Sequence, residues 1–475
     1  DAQDLVVEVE RQLKKRQRGQ AVRLEFEVGT SRFMRRFMTQ EMNLEKEDMY
    51  QIDGPLDMTV FFGFCGIKGY NHLRYPEAHP HSPWSMLELK RTPETNIFDM
   101  IREKDLLIHL PYESFDESVV NFLYSAANDK DVLAIKQTLY RVSSSSPVVQ
   151  ALEKAVQNGK QVTVLMEVKA RFDEANNILM ARRLEKAGAH VIYGLVGLKT
   201  HSKCTLVIRR EKDGIRRYVH VATGNYNAST AKLYTDLGIL TCSDRFGIDA
   251  SAFFNLLSGY SDPPIWDSFI VAPINLRQRC IELIDREIHF AKNGEDAHMI
   301  AKMNSLLDKG IIEKLYEASQ AGVKIELIVR GICVLIPGIP GVSDNITVRS
   351  IVGRFLEHSR IFWFRNGGRE ELYISSADWM PRNLNDRVEL MVPIEDPEIK
   401  RRLKQMVDIE LSDNQKAHIM QADGTWLKTI SAENQLCAQE YFQKIAEKRD
   451  AEDEMTLAQK LEPYTPVLGH GDGSD

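Results

Sequence analysis

A histidine followed two residues later by a basic residue occurs twice in this chain, in the same local setting. The first copy is His-Ser-Lys at 201–203, and the second is His-Ser-Arg at 358–360. Each motif opens an apolar run typical of a strand, and a second strand follows it, at 217–227 in one copy and at 371–383 in the other. The repetition predicts two pseudo-symmetric halves with a shared site between them. Histidine suits attack on phosphorus, and a fixed cation suits phosphate oxygens.

Helix and strand patterns alternate from about residue 113 onwards, which is the rhythm of βαβ units and predicts a largely parallel sheet. The fold class expected is therefore α/β, built from an α+β head domain followed by two pseudo-symmetric α/β domains. The expected domains are a head at 1–110, a first catalytic domain at 111–270, a second at 271–411 and a helical, acidic tail at 412–475.

Composition is that of an ordinary globular protein, with 43% hydrophobic and 27% charged residues. No apolar run approaches the roughly 18 residues of a membrane span. Because the chain begins with Asp1 and shows no signal peptide, we expect a fragment or a processed chain with upstream sequence missing. Six scattered cysteines without a Cys-x-x-Cys pair predict free thiols in a reducing cytoplasm rather than a zinc site.

The net charge is −7, yet the stretch from Lys199 to Arg217 holds seven Lys or Arg and two acids. One interpretation is a basic channel for a polyanion in an otherwise acidic protein. The alternative is a solvated edge of a strand-turn-strand unit.

His201 is the candidate nucleophile of the first motif. Lys203 lies on the same strand face two residues on. Together with Lys169, Lys199 and Arg171, it is expected to lower the pKa of His201 from about 6.5, which would keep the imidazole neutral and nucleophilic at neutral pH. The alternative for a lone histidine of this kind is a surface or hydrogen-bonded strand residue.

Further candidates surround this histidine. His220, on the strand that pairs with it, is a candidate general acid or base, or a core histidine. His358 is the pseudo-symmetric partner, suited to protonating a leaving phosphate or binding one. Arg141, Arg171 and Arg330 each end a buried strand, at the sheet edge where open α/β folds bind ligands, and a guanidinium binds phosphate with two hydrogen bonds. Each arginine alone could instead be a structural ion pair.

With both motifs in view, the halves resemble phospholipase D superfamily repeats, and the wider chain resembles the histidine-dependent bacterial polyphosphate kinases. The matching stretches are LAIKQTLYRV (133–142), VLMEVKARFDEANNI (164–178), LKTHSK (198–203), YVHVATGNYNASTAKLYTDLGILT (218–241), MNSLLD (303–308), LIVRGICVLIPG (327–338), EHSRIFWF (357–364) and YISSADWMPRNLNDRVE (373–389). They extend over most of the chain in one order.

The resemblance implies reversible transfer of the ATP γ-phosphate through a phosphohistidine to the end of inorganic polyphosphate. It implies His201 as the phosphohistidine with His220 beside it. Tyr234, Arg330 and His358 match positions that contact ATP.

Lys169, Lys203 and Arg360 are expected to bind phosphate. Arg141 and Arg171 would lie near Mg²⁺-bound phosphates without ligating the metal, because arginine has no lone pair. Family members also carry an N-terminal helical domain, which is expected to be missing here.

The phospholipase D pattern continues with Asp seven residues after the histidine, where this chain has Ile208 and Arg365. That departure disfavours the first alternative, a phospholipase D-like phosphodiesterase or nuclease. The second alternative is a non-catalytic, polyanion-binding fragment. The partners expected are inorganic polyphosphate, ATP and ADP, and further copies of the chain in a homodimer or higher oligomer, with no nucleic acid. The expected location is the cytoplasm, with peripheral association at the inner membrane face.

Overall fold

The computed structural model describes residues 2–16, 19–87, 95–170, 173–259 and 265–461. The chain divides into two compact units, one from Gln3 to Ala78 and one from His79 onwards. Within the described ranges, no helix combines the length and the apolar character that crossing a bilayer requires.

The first unit contains α1 (Ala2–Arg16), β1 (Leu24–Glu27), α2 (Arg32–Glu41) and β2 (Met49–Ile52), with short 3-10 segments at Lys46–Asp48, Met58–Gly66 and Asn71–Leu73. β1 and β2 pair in parallel. The side chain of Ser31 caps the start of α2 by accepting a hydrogen bond from Met34 N. Large apolar side chains of this unit lie on its surface, and Phe33 and Phe62 are 76% and 77% exposed.

The second unit holds the remaining strands and helices. Its strands are β3 (Leu106–Leu110), β4 (Val132–Leu139), β5 (Gln161–Met166), β6 (His190–Ile192), β7 (Lys199–Thr200), β8 (Cys204–Glu211), β9 (Gly214–Ala222), β10 (Tyr234–Thr241), β11 (Ile270–Ala272), β12 (His298–Met303), β13 (Lys324–Val329), β14 (Ile346–Ile351), β15 (Leu356–Glu357), β16 (Arg360–Phe364), β17 (Glu371–Ser375), β18 (Arg387–Pro393), β19 (Ala417–Met420) and β20 (Trp426–Lys428). Its helices are α3 (Ile97–Glu103), α4 (Asn121–Asn128), α5 (Pro147–Gln157), α6 (Glu174–Ala187), α7 (Asp244–Leu257), α8 (Leu276–Lys292), α9 (Lys309–Gln320), α10 (Pro381–Asn385), α11 (Pro397–Leu411) and α12 (Ala438–Leu461).

The predicted duplication is visible in the two sheets of this unit. In the first sheet, β4, β5 and β6 run parallel, and β4 continues into the antiparallel series β8, β9, β10 and β3. In the second sheet, β12, β13 and β14 run parallel, and β12 continues into the antiparallel series β16, β17, β18 and β11. The two sheets therefore follow one plan, and the expected α/β fold class is confirmed.

Local sequence explains where the elements begin and end. In the serine-rich loop before α5, the hydroxyl of Ser146 accepts from Val149 N, and Pro147 occupies the first helical turn, where its missing N–H is not needed. Gly188 ends α6 with a positive φ of 105°, a conformation that glycine adopts without strain.

The region after residue 412, for which the sequence predicted helices, differs from that expectation. β19 pairs antiparallel with β14 and with β20, so that this segment covers the open edge of the parallel strands before α12 begins. The domain boundaries at 110, 270 and 411 stay predictions. β3, which lies before the first of these boundaries, pairs with β10 in the first sheet.

A buried carboxylate fixes the chain where it enters the second half. Asp249 on α7 is 2% exposed and accepts from the backbone N–H groups of Asp267, Ser268 and Phe269. Because Asp249→Ala would leave three N–H groups without acceptors, we expect the free energy of unfolding to fall by about 3 kcal/mol. Urea unfolding measures the change. Asn255→Ala, at an exposed position of the same helix, should stay within about 0.5 kcal/mol of the parent.

Candidate active site

Each strand that leads to one of the two histidines pairs with a strand of the other half. β7 belongs to the first half in sequence but pairs with β18 of the second, with Thr200 opposite Val388. β15 belongs to the second half but pairs with β10 of the first, with Glu357 opposite Thr235. Each histidine follows the last paired residue of its strand. Both histidines therefore lie where the two sheets meet, as the shared-site prediction requires.

His201 is held by a carboxylate of the other half. Its Nδ1 lies 2.9 Å from Glu389 Oε2 on β18, and the two side chains are 9% and 0% exposed. Ser376 Oγ donates to the same carboxylate at 2.5 Å, and Asn383 Nδ2 donates to its other oxygen at 2.6 Å. Since carboxylate oxygens accept, we assign the Nδ1 proton to His201. Nε2 then carries the free lone pair.

The pKa of His201 is lowered well below its ordinary value, which is the predicted direction. Burial is the largest cause, and the charges of Lys203, Arg387 and Arg360 add to it. Of the described lysines expected to lower this pKa (Lys169, Lys199 and Lys203), only Lys203 is among the main causes. Arg360 belongs to the second motif, so its effect on His201 shows that the two motifs lie close together. The imidazole of His201 is neutral at physiological pH and available as a nucleophile.

His358 of the second half is held in the same way, by a carboxylate of the first half. Its Nδ1 lies 2.8 Å from Asp236 Oδ1 on β10, and Thr223 Oγ1 donates to that oxygen at 2.6 Å. Burial lowers the pKa of His358, although Asp236 opposes the shift. Burial raises the pKa of Asp236, but His358 and Thr223 outweigh it and hold the pKa below its ordinary value. The ring of Tyr234 lies 5.2 Å from that of His358.

The basic residue of each motif binds the backbone carbonyl of its own histidine. Lys203 Nζ donates to His201 O, and Arg360 Nη1 donates to His358 O at 2.6 Å. Burial lowers the pKa of Lys203 to about 7. Burial also opposes the charge of Arg360, but the carboxylate of Asp378, 3.1 Å from Arg360 Nε, raises its pKa. Arg360 of the second copy is thus permanently charged, whereas the charge of Lys203 in the first copy depends on pH.

Two residues beside His201 were not predicted. The ring of Tyr140 meets the imidazole edge-on at 4.8 Å. Arg387, which pairs with Lys199 in the strand register, lies 4.0 Å from the carboxylate of Glu389 and contributes to the low pKa of His201.

The other predicted cations lie at the strand ends, as expected. Arg141, next to Tyr140, pairs with Asp173 at 3.0 Å. The backbone N–H of Lys169 donates to Glu167, which also accepts from Thr200 N.

In the second half, Arg330 Nη2 donates to Asn304 Oδ1 at 2.9 Å, and Asn304 Nδ2 donates to His358 O at 3.3 Å. Arg330 is therefore linked to the second histidine through one side chain. Arg171 lies outside the described residues.

His220 occupies a different environment. Its Nδ1 bonds to Tyr226 Oη at 2.8 Å, and its Nε2 is packed against Gly238, where a Cβ atom would lie 2.6 Å away. Burial lowers its pKa to about 3. His201 and His220 are both described, and no hydrogen bond or ring contact joins them. A role for His220 beside His201 stays a prediction.

Two arginines of the basic stretch are neutralised where β8 and β9 form their hairpin. Arg209 pairs with Asp129 at 2.9 Å and with Glu211 at 2.7 Å, and Arg216 pairs with Asp213 at 2.6 Å. At about 3.3 Å per residue, the extended strand also carries Arg209 some 25 Å from His201. These two arginines are engaged in ion pairs, with side chains 14% and 25% exposed, whereas Lys203 belongs to the site.

The sequence did not single out Glu389 and Asp236, although a usable signal was present. In each half an acid is the third residue of a long strand: Asp236 in β10, within TDLG at 235–238, and Glu389 in β18, within RVEL at 387–390. Superposing the two repeats on their strands would have shown the acids to be equivalent.

No group of three or more His, Cys, Asp or Glu side chains in the described part of the chain is placed to hold a metal ion. The carboxylates nearest the histidines are engaged with His201, His358 and Arg360. The described side chains therefore fit phosphate rather than a resident metal.

Comparison with known proteins agrees with this geometry. Three family domains match in order: the polyphosphate kinase middle domain at residues 1–64, C-terminal domain 1 at 96–263 and C-terminal domain 2 at 269–439. The chain belongs to the polyphosphate kinase family. The polyphosphate kinase of Halalkalibacterium halodurans is 54% identical over 419 residues, covering 88% of this chain and 59% of that protein. That of Thermosynechococcus vestitus is 49% identical, covering 90% and 61%.

Among solved structures, polyphosphate kinase from Porphyromonas gingivalis superposes with a TM-score of 0.81 at 34% identity, covering 90% of this chain and 65% of that chain. The chain spans about three fifths of the length of these curated polyphosphate kinases.

The carboxylate of Glu389 should control which nitrogen of His201 carries the proton. In Glu389→Gln, Asn383 keeps donating to the amide oxygen, so the amide NH₂ faces His201 Nδ1, which must then accept. We expect the proton to move to Nε2, as ¹⁵N NMR of labelled histidine would show. Glu371→Gln, in a half-buried carboxylate on β17, should leave the His201 tautomer unchanged.

Proposed function

We propose that this chain is a polyphosphate kinase that moves the γ-phosphate of ATP through a phosphohistidine at His201 to the end of inorganic polyphosphate, reversibly. The observation that carries the proposal is the buried, neutral imidazole of His201, with Nδ1 held by Glu389 and cations of both halves close by. The family to which the chain belongs agrees with this chemistry.

In the first step, His201 Nε2 attacks the γ-phosphorus. A P–N bond forms, the bond from phosphorus to the β–γ bridging oxygen breaks, and ADP leaves with that electron pair. The imidazole becomes positive during this step, and Glu389, hydrogen-bonded at 2.9 Å, stabilises that charge. Lys203 and Arg387 stabilise the negative charge on the transferring group.

In the second step, a terminal phosphate oxygen of polyphosphate attacks the phosphorus and the P–N bond breaks, which restores neutral His201. We assign His358 and the residues linked to it, Tyr234, Arg330 and Arg360, to binding the phosphates of ATP. The tilted contact of Tyr234 with His358 and the link of Arg330 through Asn304 support this assignment. Lys169, which follows β5 on the His201 side, is assigned to binding phosphate as well.

Mg²⁺ belongs to the substrate in this proposal. Because the described residues offer no carboxylate cluster, the ion would arrive bound to the phosphates of ATP, and Arg141 and Arg171 would bind phosphate oxygens beside it. No step of the transfer is assigned to the ion.

We further propose a homodimer or higher homo-oligomer located in the cytoplasm, with peripheral association at the inner membrane face. The apolar surface of the first unit supports self-association, since contiguous exposed apolar side chains mark interaction sites. It includes Phe33, Phe61, Phe62 and Phe64. The free cysteines support a reducing compartment.

The test is to incubate the chain with Mg²⁺ and γ-labelled ATP and to examine the labelled protein. We expect an acid-labile, alkali-stable label on His201 that added ADP or polyphosphate removes, because a phosphohistidine has a reactive P–N bond. His201→Ala should abolish the label. His289→Ala, at an exposed histidine of α8, should retain it.

Absence of label on the folded chain, with polyphosphate still bound, would contradict the kinase proposal and favour a polyanion-binding role. Release of an alcohol or a nucleotide from a phosphodiester, without ADP, would favour a phosphodiesterase.

The pH dependence should depend on Lys203. Its pKa is about 7 because it is buried, so its positive charge is present below that pH and lost above it. We expect kcat/KM for ATP to fall as pH rises through about 7. In Lys203→Arg the cation persists, because the pKa of arginine lies above about 12. Arginine should be tolerated, because Arg360 occupies the equivalent position of the second copy.

The measurement is kcat/KM for ATP as a function of pH, in the parent protein and in Lys203→Arg. An equal fall of kcat/KM in both would show that another group is titrating.

A further inference from the structure

The residue before His358 is part of a buried charge cluster. Glu357 Oε2 lies 2.6 Å from Lys302 Nζ on β12, and the same ammonium pairs with Glu410 on α11. These three side chains are 2% to 4% exposed. Burial opposes the charge of Lys302, but Glu357 and Glu410 outweigh it and raise its pKa. Lys302 is therefore a permanent cation paired with Glu357, the residue before His358.

The C-terminal helix reaches the same carboxylate. Gln439, in the first turn of α12, donates from Nε2 to Glu357 Oε1 at 2.6 Å and to Phe355 O at 2.9 Å. Its Oε1 accepts from Phe355 N at 3.0 Å. It also packs so closely on Gly353 that a Cβ atom there would lie 2.4 Å from that oxygen. One amide thus fixes residues 353–357, which lead directly to His358.

Glu357 in turn sets the position of the histidine. Thr235 Oγ1 donates to Glu357 Oε2 at 2.8 Å and accepts from His358 N at 3.2 Å. The next residue of β10, Asp236, holds the imidazole. A shift of Glu357 would therefore disturb both the backbone and the ring contacts of His358. At the equivalent place in the first copy stands Thr200, whose backbone N–H donates to Glu167.

We propose that Gln439 and Lys302 are positioning residues that hold His358 in place through Glu357, so that the C-terminal helix α12 supports the candidate active site. The consequence for turnover rests on the proposed function. The position of His358 does not depend on that function, because the exposure of this histidine can be measured without assaying any activity.

The test is the rate at which diethyl pyrocarbonate modifies His358, followed by mass spectrometry. Gln439→Met keeps the side-chain volume and removes all three hydrogen bonds. We expect His358, whose side chain is 12% exposed, to react about fivefold faster or more, because its loop is released. His289, exposed on α8, serves as the internal reference for the reagent.

Gln443→Met is the matched control, because Gln443 lies on the same helix and bonds only locally with Glu447. The proposal is overturned if His358 reacts at one rate in the parent, Gln439→Met and Gln443→Met. Should Gln439→Met fail to fold, Gln439→Glu keeps the acceptor for Phe355 N and places a second carboxylate against Glu357. Above neutral pH it should release His358 in the same way, and an unchanged rate would again overturn the proposal.

A second readout joins this inference to catalysis. We expect Gln439→Met to lower kcat for polyphosphate synthesis about 10-fold, and to have no further effect in a His358→Ala background, because Gln439 acts through that histidine. Faster modification of His358 with unaltered turnover would keep the positioning role and remove His358 from the proposed mechanism.

Discussion

Each of the two histidines is held by a carboxylate that belongs to the other half of the molecule. His201 is bound to Glu389, 188 residues away, and His358 to Asp236, 122 residues away. The exchange of β7 and β15 between the sheets places both pairs. A buried carboxylate without donors would be strongly destabilising. Ser376 and Asn383 donate to Glu389, and Thr223 donates to Asp236, from the acid's own half, and the histidine of the other half adds one more hydrogen bond to each. Docking of the two halves therefore completes the set of partners of both acids.

Within this symmetric frame the two copies differ chemically. The first has Lys203, whose pKa burial lowers to about 7, and the second has Arg360, which Asp378 keeps charged. A compact ammonium with a variable charge beside His201 suits the transfer role that we propose for that histidine. A guanidinium held by the carboxylate of Asp378 and the carbonyl of His358 suits a constant binding role. The asymmetry supports assigning transfer to His201 and binding to the side of His358.

The elements of the second unit follow closely from the sequence because their signals are local. The apolar period and the caps at Ser146 and Gly188 define the helices, and the repeated motif predicts the duplication. Glu389 and Asp236 were not predicted because their roles arise from pairing between distant strands, and the sequence signal for them appears only when the two repeats are compared with each other. For the same reason the sequence overstated the basic stretch: Arg209 is neutralised by Asp129, 80 residues earlier. Burial, the largest cause of the low pKa of His201, is equally a property of the assembled fold.

The burial of His201 has a consequence that surface cations alone could not supply. In a medium of low effective dielectric, each charge acts over several ångströms with little screening, so that Lys203, Arg387 and Arg360 can all influence one imidazole. The same medium strengthens the hydrogen bond between Nδ1 and Glu389 when the ring becomes positive. The imidazole, the cations and the carboxylate are then already in place before a phosphate group binds. Because little reorganisation is needed in either direction, this arrangement suits the reversible transfer that we propose.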